Sequence, residues 1–285
     1  MVLVLQNLQR SVIIDRIESE TSMNLPQIIF FDFDNTLIDS KTHAIPASAL
    51  DALHRLVDKG IKIAIASGRS HFLLKETGAL NLVPWSGLCL SNGQVVIKGT
   101  EDVIHHHFLP KVGVLNVIET AKSLNMNVYF STPHGDFMME TANELVFEAH
   151  HFFNEPIPLP GVYVDQPIDK LLIYAPKGYD YAPYKAIEGL TTFVSVSTYA
   201  DIATKGVSKL SAIHELLDDL GLDHRFTAFG DSQNDMEMLQ GATISVAMGN
   251  ADPKLKAIAD HITDDVDQDG LWKALIKLGY FETSA

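Results

Sequence analysis

Two carboxylates, Asp32 and Asp34, follow the apolar run Ile28-Ile-Phe-Phe31. Such a run of β-branched and aromatic residues is typical of a strand buried on both faces, as in a parallel sheet. Side chains two positions apart in an extended chain point to the same side, and open α/β sheets bind ligands at the carboxyl ends of their strands. Two carboxylates placed there repel each other unless a cation or a proton lies between them. The pair indicates a hard metal ion, a catalytic carboxylate or both, although an isolated Asp-x-Asp is more often a polar turn.

Three more polar clusters end predicted strands, and a lysine begins a predicted helix. In chain order they are Ser67-Gly68-Arg69 after strand 61–66, Ser91-Asn92-Gly93 after strand 87–90, Lys209 in helix 208–220, and Gly230-Asp231-Ser-Gln-Asn234-Asp235 after strand 226–229. Each cluster has a simpler interpretation as a helix cap, a solvated helix-end charge or a polar turn. The whole series, with each cluster after an apolar segment, fits those interpretations poorly.

This series resembles the four motifs of the haloacid dehalogenase (HAD) superfamily. The resemblance implies that Asp32 is a nucleophile that becomes an aspartyl phosphate and that Asp34 is the general acid and base. It also implies that the Ser67 hydroxyl binds the phosphate and that Lys209 neutralises its charge. Lys205 is the alternative lysine. Lys209 is favoured because it lies at the start of a predicted helix.

The same resemblance implies a magnesium site and a phosphate-binding set of residues. Mg²⁺ prefers octahedral oxygen ligands, and the implied ligands are Asp32, Asp34 through its backbone carbonyl, Asp231 and, directly or as a supporting residue, Asp235. The implied substrate-binding residues are Phe33, through backbone amides around it, and Gly68, Arg69, Asn92 and Asn234.

The sequence departs from the family pattern at two positions. Asn35 stands where many relatives have glycine, but asparagine tolerates the left-handed backbone better than most residues. Leu210 stands where a glycine often follows the lysine, which weakens that match slightly.

The spacing of the motifs places an inserted domain. Between Asp34 and Ser67 there is room for one loop, helix and strand, whereas the interval between Ser67 and Lys209 is far longer than the core needs. The predicted fold is α/β, a doubly wound Rossmann-like parallel sheet with an inserted α+β cap. The predicted boundaries are an N-terminal extension at 1–22, a core at 23–97 and 198–285, and a cap at 98–197. A cap in this interval resembles the Cof-type, or type IIB, branch, whose members mostly hydrolyse sugar phosphates and other small phosphometabolites.

Two features of the predicted cap are open to more than one interpretation. The turn Thr132-Pro-His134-Gly joins two predicted strands, and we predict that His134 or Asp136 contacts the leaving group, although a solvated turn is the simpler interpretation. The run His105-His-His107 is interpreted as an exposed edge of the cap, because consecutive residues do not converge on one ion without a tight turn.

Composition narrows the function further. The net charge of −15 argues against binding of a nucleic-acid backbone, which needs Lys and Arg. The single cysteine, Cys89, fits a reducing compartment, and no apolar run is long enough to span a bilayer, so we expect a cytoplasmic protein without a membrane partner. We expect a monomer or a homodimer.

The predicted function is a Mg²⁺-dependent phosphatase of small phosphorylated metabolites, with sugar phosphates as the expected class. A phosphomutase or phosphotransferase of the same superfamily, and a non-catalytic binding protein on the same fold, are the alternatives.

Overall fold

A computed structural model describes residues 25–282, so the predicted extension at 1–22 lies outside the described residues. The described chain contains two β-sheets, one of eight strands and one of five. Among residues 25–282, no helix has both the length and the apolar character needed to cross a membrane.

The eight-stranded sheet forms the core. Its strands are β1 (Ile28–Phe31), β2 (Lys62–Ala66), β3 (Gly87–Leu90), β4 (Val95–Lys98), β5 (Asp102–His106), β11 (Thr227–Gly230), β12 (Ile244–Ala247) and β13 (His261–Ile262). The order across the sheet is β13-β12-β11-β1-β2-β3-β4-β5. All pairs from β13 to β3 are parallel, whereas β4 and β5 join as antiparallel strands. The predicted doubly wound parallel sheet is confirmed.

Strand β1 occupies the centre of this sheet because it is apolar on both faces. All four of its residues are buried, as expected for a central parallel strand. Phe30 packs edge-to-face on Phe226, with ring centroids 5.5 Å apart, and Phe31 packs on Phe229 at 5.2 Å. These contacts hold the ends of β1 and β11 side by side, which brings their following carboxylates together.

The five-stranded sheet is antiparallel throughout. Its strands are β6 (Val128–Ser131), β7 (Phe137–Met138), β8 (Lys170–Tyr174), β9 (Leu190–Val194) and β10 (Tyr199–Thr204), in the order β7-β6-β8-β10-β9. This sheet has its own buried core, which includes Val117, Phe130, Ile173 and Tyr184. It corresponds to the inserted α+β cap that the motif spacing predicts.

Helices pack on both sheets. They are α1 (Ala47–Asp58), α2 (His71–Glu76), α3 (Lys111–Ser123), α4 (Glu144–Phe152), α5 (Ala182–Lys185), α6 (Lys209–Asp219), α7 (Met236–Gly241), α8 (Pro253–Lys256) and α9 (Gly270–Lys277). In α1 the buried side chains include Ala49, Leu53 and Leu56, which recur at helical spacing and face the sheet.

The change from one sheet to the other occurs later in the chain than the predicted boundaries at 97–98 and 197–198. Strand β5 is hydrogen-bonded to the core sheet, and β10, which includes Asp201, belongs to the cap sheet. The predicted second core segment, 198–285, therefore begins with a strand that pairs in the cap sheet. The apolar pattern of β10 resembles that of a core strand, and only its antiparallel partners β8 and β9 reveal its sheet.

A glycine connects the β3 turn to the helix that carries Lys209. Gly93 has a φ of +98°, and a Cβ atom there would overlap the backbone carbonyl of Ser208, the N-cap of α6. Because only glycine permits this backbone conformation and this close approach together, Gly93 sets the position of α6 against the end of β3.

We predict that Gly93→Ala destabilises the fold more than Gly99→Ala does. Gly99 also has a positive φ, of +63°, but nothing lies within 4 Å of its hypothetical Cβ. The left-handed backbone should cost either variant about 1–2 kcal/mol, and the overlap with Ser208 should add about 1–3 kcal/mol in Gly93→Ala. Urea denaturation measures both; equal losses would contradict the close-approach argument.

Candidate active site

A cavity of about 480 Å³ lies between the carboxyl ends of the core strands and the cap sheet. From the core it is lined by Asp32, Asp34, Gly68, Arg69, Asp231 and Asn234. From the cap it is lined by Phe153, Glu155, Lys170, Val194, Tyr199 and Asp201. Most of the predicted site residues of the core therefore meet in one cavity.

A buried lysine bridges two carboxylates on the core side of this cavity. Lys209, the first residue of α6, donates through Nζ to Asp32 Oδ1 and to Asp235 Oδ1, each at 2.6 Å. The Lys209 side chain is fully buried, and so is that of Asp235. Lys205, the alternative lysine, is exposed, so the structure brings Lys209 and not Lys205 to the carboxylates.

The three carboxylates of Asp32, Asp231 and Asp235 outnumber the one cation, Lys209, in this buried cluster. Ligand oxygens of Asp32, Asp231 and Asp235 all lie within 4.8 Å of one another, and all three residues are buried. Burial raises the pKa of Asp32 to about 7, against the lowering effect of Lys209 and together with the repulsion of Asp235. Burial and the charge of Asp32 likewise raise the pKa of Asp231 well above its ordinary value. The cluster can therefore accept a cation.

The loop after β11 folds around Asp235. Oδ2 of Asp235 accepts hydrogen bonds from the amides of Asp231 and Ser232, both at 3.0 Å. A Cβ atom on Gly230 would lie 2.7 Å from the Cβ of Asp235, so glycine is needed for this close turn. Both carboxylate oxygens of Asp235 are thus hydrogen-bonded, Oδ2 to the loop amides and Oδ1 to Lys209. These contacts suit a residue that holds neighbouring groups in place.

Arg69 fixes the direction of the Asp34 carboxylate. Its Nε donates to Asp34 Oδ2 at 2.9 Å and its Nη2 donates to Oδ1 at 2.8 Å, a bidentate pair. The guanidinium lies 5.4 Å from the centre of the Phe33 ring, which is buried. Burial opposes the charge of Arg69, but the carboxylates of Asp34 and Glu155 raise its pKa above the ordinary value. Arg69 therefore stays a cation that holds Asp34 at the cavity.

The ends of β2 and β3 meet the β11 loop through polar side chains. Ser67 is buried, and its Oγ accepts the amide of Arg69 at 3.1 Å. Asn234 donates through Nδ2 to Asn92 Oδ1 at 2.9 Å. The Nδ2 of Asn92 is buried and has no hydrogen-bond partner among the described residues. A Cβ atom on Gly68 would lie 3.2 Å from Oδ1 and 3.6 Å from Nδ2 of Asn92. Because glycine has no Cβ atom, Gly68 leaves space beside the unpaired Nδ2 donor.

The turn after Asp34 adopts the left-handed backbone conformation that asparagine tolerates. Asn35 adopts a φ of +58°, in the left-handed region. Its Oδ1 accepts the amide of Ser40 at 3.3 Å, and its carbonyl accepts Nδ2 of Asn250 at 2.9 Å. Asparagine therefore replaces glycine here without disturbing the turn. Leu210, the second departure from the family pattern, packs against Gly241, where a Cβ atom would overlap the leucine side chain. Leu210 therefore fills space between α6 and α7.

The cap contributes charged side chains to the cavity. Lys170 donates through Nζ to the Gly68 carbonyl of the core at 2.6 Å and to Asp201 Oδ1 at 2.9 Å. Glu155 lies 3.5 Å from Nη1 of Arg69, and Nη2 of Arg69 also donates to the Phe153 carbonyl at 2.9 Å. Burial raises the pKa of Glu155 to about 7, against the lowering effect of Arg69. These contacts tie the cap to the Ser67-Gly68-Arg69 loop.

His134 does not reach this cavity. Its side chain is exposed, and its amide is held by Thr132 Oγ1 at 3.1 Å within the turn. Asp136 accepts the Tyr129 hydroxyl at 2.5 Å and the Thr132 amide at 3.2 Å. Neither residue lines the cavity, to which the cap contributes residues of β6, β8, β9, β10 and the segment after α4. That His134 or Asp136 contacts the leaving group stays a prediction, and the charged cap residues that do line the cavity are Glu155, Lys170 and Asp201.

The sequence carries a signal for two of these three residues. Lys170 begins the apolar strand Lys170-Leu-Leu-Ile-Tyr, and Asp201 interrupts the apolar stretch Tyr199-Ala-Asp-Ile-Ala. Opposite charges in two apolar strands suggest a buried pair. Glu155 lies in a proline-rich loop without periodicity, and no comparable signal distinguishes it.

Comparisons with known proteins agree with this geometry. The family described as haloacid dehalogenase-like hydrolase matches residues 29–275. YkrA of Bacillus subtilis is 32% identical over 264 residues, which cover 89% of this chain and 98% of YkrA.

Two solved structures share the fold over nearly the whole chain. BT1666 of Bacteroides thetaiotaomicron, described among the phosphatases of the HAD superfamily, is 30% identical with a TM-score of 0.79, covering 90% of this chain and 96% of its own. The HAD subclass IIB sugar phosphatase BT4131 is 28% identical with a TM-score of 0.81, covering 90% of this chain and 100% of its own.

These matches confirm the predicted resemblance, the α/β fold with a cap, and the enzyme class of phosphoric monoester hydrolase. The chain belongs to the haloacid dehalogenase-like hydrolase family.

Proposed function

We propose that the chain is a Mg²⁺-dependent phosphatase that hydrolyses small phosphorylated metabolites, with sugar phosphates as the first class to test. The observation that carries the proposal is the buried group of Asp32, Lys209, Asp231 and Asp235 at the core side of a cavity that the cap covers. The subclass of BT4131, named as a sugar phosphatase, supports the choice of class.

The residues fit a small hard cation. Three buried carboxylates lie within 4.8 Å of one another, and burial, together with the repulsion between these carboxylates, raises the pKa of Asp32 and of Asp231. Asp32 and Asp231 would be carboxylate ligands, the Asp34 carbonyl a third, and Asp235 a supporting residue, because its oxygens are already engaged. When bound, Mg²⁺ would neutralise phosphate charge at this point.

In the proposed reaction Asp32, Asp34 and Lys209 would each have a separate role. Asp32 attacks phosphorus in line and forms an aspartyl phosphate while the bond to the alcohol oxygen breaks. Asp34, which Arg69 positions at the cavity, would protonate that oxygen from its carboxylic-acid form. As the resulting carboxylate it would then accept a proton from the water that attacks the aspartyl phosphate and releases phosphate. Lys209 offsets charge on Asp32 and on the phosphoryl group.

The remaining core residues would bind the phosphoryl group. The free Nδ2 of Asn92 lies beside Gly68 and Asn234 and can donate to a phosphate oxygen. Ser67 follows β2, the strand that pairs with β1, and Phe33 follows Asp32 directly in the chain. These groups recognise phosphate alone, so discrimination among alcohols falls to the cap residues Glu155, Lys170 and Asp201.

Asp32→Asn tests the nucleophile. An amide cannot form the aspartyl phosphate, so turnover measured by release of inorganic phosphate should fall at least about 10³-fold. Retention of more than a tenth of the wild-type rate would remove Asp32 from that role.

Metal removal tests the cofactor. Excess chelator should abolish phosphate release and added Mg²⁺ should restore it. Ca²⁺ should inhibit, since its larger and more irregular ligand shell misplaces the phosphate. Full activity in excess chelator would contradict the proposed metal dependence.

Glu155→Gln tests the cap, with His134→Ala as its matched control. A changed hydrogen bond to the leaving group should shift relative kcat/KM across a panel of phosphate esters by about tenfold. Mg²⁺ dependence should be unchanged. His134→Ala should keep the wild-type ranking, because its side chain lies outside the cavity. If only His134→Ala altered the substrate ranking, the turn that contains His134, and not Glu155, would select the substrate.

A further inference from the structure

A second group of metal-ligating side chains lies outside the catalytic cavity. It comprises His105 and His107, at the end of edge strand β5, and Glu215 on α6. None of the three lines the cavity that contains Asp32. The sequence predicts the histidine run at an exposed edge of the cap, whereas His105 and His106 belong to β5 of the core sheet.

Strand geometry brings the two alternate histidines to one face. The amide of His107 donates to the Gln94 carbonyl at 2.7 Å, so the extended pairing with β4 continues past the end of β5. Residues two apart in such a chain point to the same side. The rings of His105 and His107 accordingly stack, with centroids 6.3 Å apart and planes 5° from parallel. His106 points elsewhere and contacts Asp169 at 2.6 Å.

Glu215 completes the group from the helix that packs on this sheet. His107 Nε2 lies 2.8 Å and 2.9 Å from the two carboxylate oxygens of Glu215. One donor atom from each of His105, His107 and Glu215 lies within 4.8 Å of the other two. Two ligands of a tetrahedral Zn²⁺ lie roughly 3.4 Å apart at bond lengths of about 2.1 Å. Small side-chain rotations would therefore suffice, and the exposed His105 has room to make them.

We propose that His105, His107 and Glu215 form a second metal site, which takes a borderline divalent ion such as Zn²⁺. Two imidazoles and one carboxylate suit Zn²⁺, Ni²⁺ and Cu²⁺, whereas Mg²⁺ prefers oxygen ligands alone. The catalytic cluster offers carboxylates and so has the opposite preference. The two sites should bind different metals.

The site lies where the chain leaves the core for the cap. After His107 the chain reaches Leu109, whose amide donates to the Ile168 carbonyl of the cap segment at 2.8 Å. Gln94 contacts the His107 carbonyl and also Thr204, at the end of β10 where the chain returns. An ion held by His107 and Glu215 would therefore fasten the outgoing connection to core helix α6.

Zn²⁺ titration of the full chain in saturating Mg²⁺ tests the site. Under the proposed function Mg²⁺ fills the carboxylate cluster. Calorimetry should then report one Zn²⁺ per chain together with a rise in Tm, as expected for an ion that binds only the folded state. His105→Ala and Glu215→Gln should each weaken this binding at least about tenfold. Because His105 is exposed, its replacement should leave the fold and phosphate release unchanged.

His224→Ala is the matched control. His224 stacks on His214 at 4.4 Å and contacts Asp218, so it offers a similar surface pair beside the same helix without forming a described three-ligand group. Its loss should leave Zn²⁺ binding at the wild-type value. Absence of Zn²⁺ binding in saturating Mg²⁺, or equal binding in wild type and His105→Ala, would overturn the proposal.

Cu²⁺ gives a second, spectroscopic test. Bound at this site it should show nitrogen coupling in its electron paramagnetic resonance spectrum, from two imidazoles. Cu²⁺ on carboxylate oxygens would lack that coupling. A spectrum without nitrogen coupling, or one with coupling that persists in the His105→Ala, His107→Ala double variant, would contradict the assignment.

Discussion

The active site depends on one buried cation between two carboxylates. Lys209 lies 2.6 Å from both Asp32 and Asp235, and its side chain is inaccessible to solvent. A buried charge without partners would be strongly unfavourable, so the three elements that carry these residues must meet at this point. Strand β1 brings Asp32, the loop after β11 brings Asp235, and the start of α6 brings Lys209. Gly93 and Gly230 permit the close approaches that this meeting requires.

The cap is connected to this centre through a second set of charges. Arg69 holds both oxygens of Asp34 and also contacts the Phe153 carbonyl and Glu155 of the cap. Lys170 of the cap donates to the Gly68 carbonyl. The loop after β2 thus serves both the proposed acid and base and the cap. Substrate selection and proton transfer would then share one structural element.

The centre of the core sheet could be predicted from sequence because its parallel strands β1, β2, β3, β11 and β12 each leave a local pattern, whereas the edge strands β5 and β13 do not. The run before Asp32, the motif around Asp231 and the cap insertion between Ser67 and Lys209 all follow from spacing and residue type. The cap surface could not be predicted equally well. Whether Glu155 or His134 faces the cavity depends on how the cap sheet docks, which is a property of distant contacts. The pairing of β10 with β8, and of His107 with Glu215, likewise joins residues that no local pattern connects.

The central claim is that phosphoryl transfer passes through Asp32, and a trapping experiment tests it most directly. Borohydride reduces an aspartyl phosphate to homoserine, so enzyme quenched during turnover and then reduced should carry homoserine at position 32. Peptide mass spectrometry would locate it, and enzyme treated without substrate should retain aspartate there. Homoserine at another aspartate, or none in enzyme that is releasing phosphate, would contradict the account.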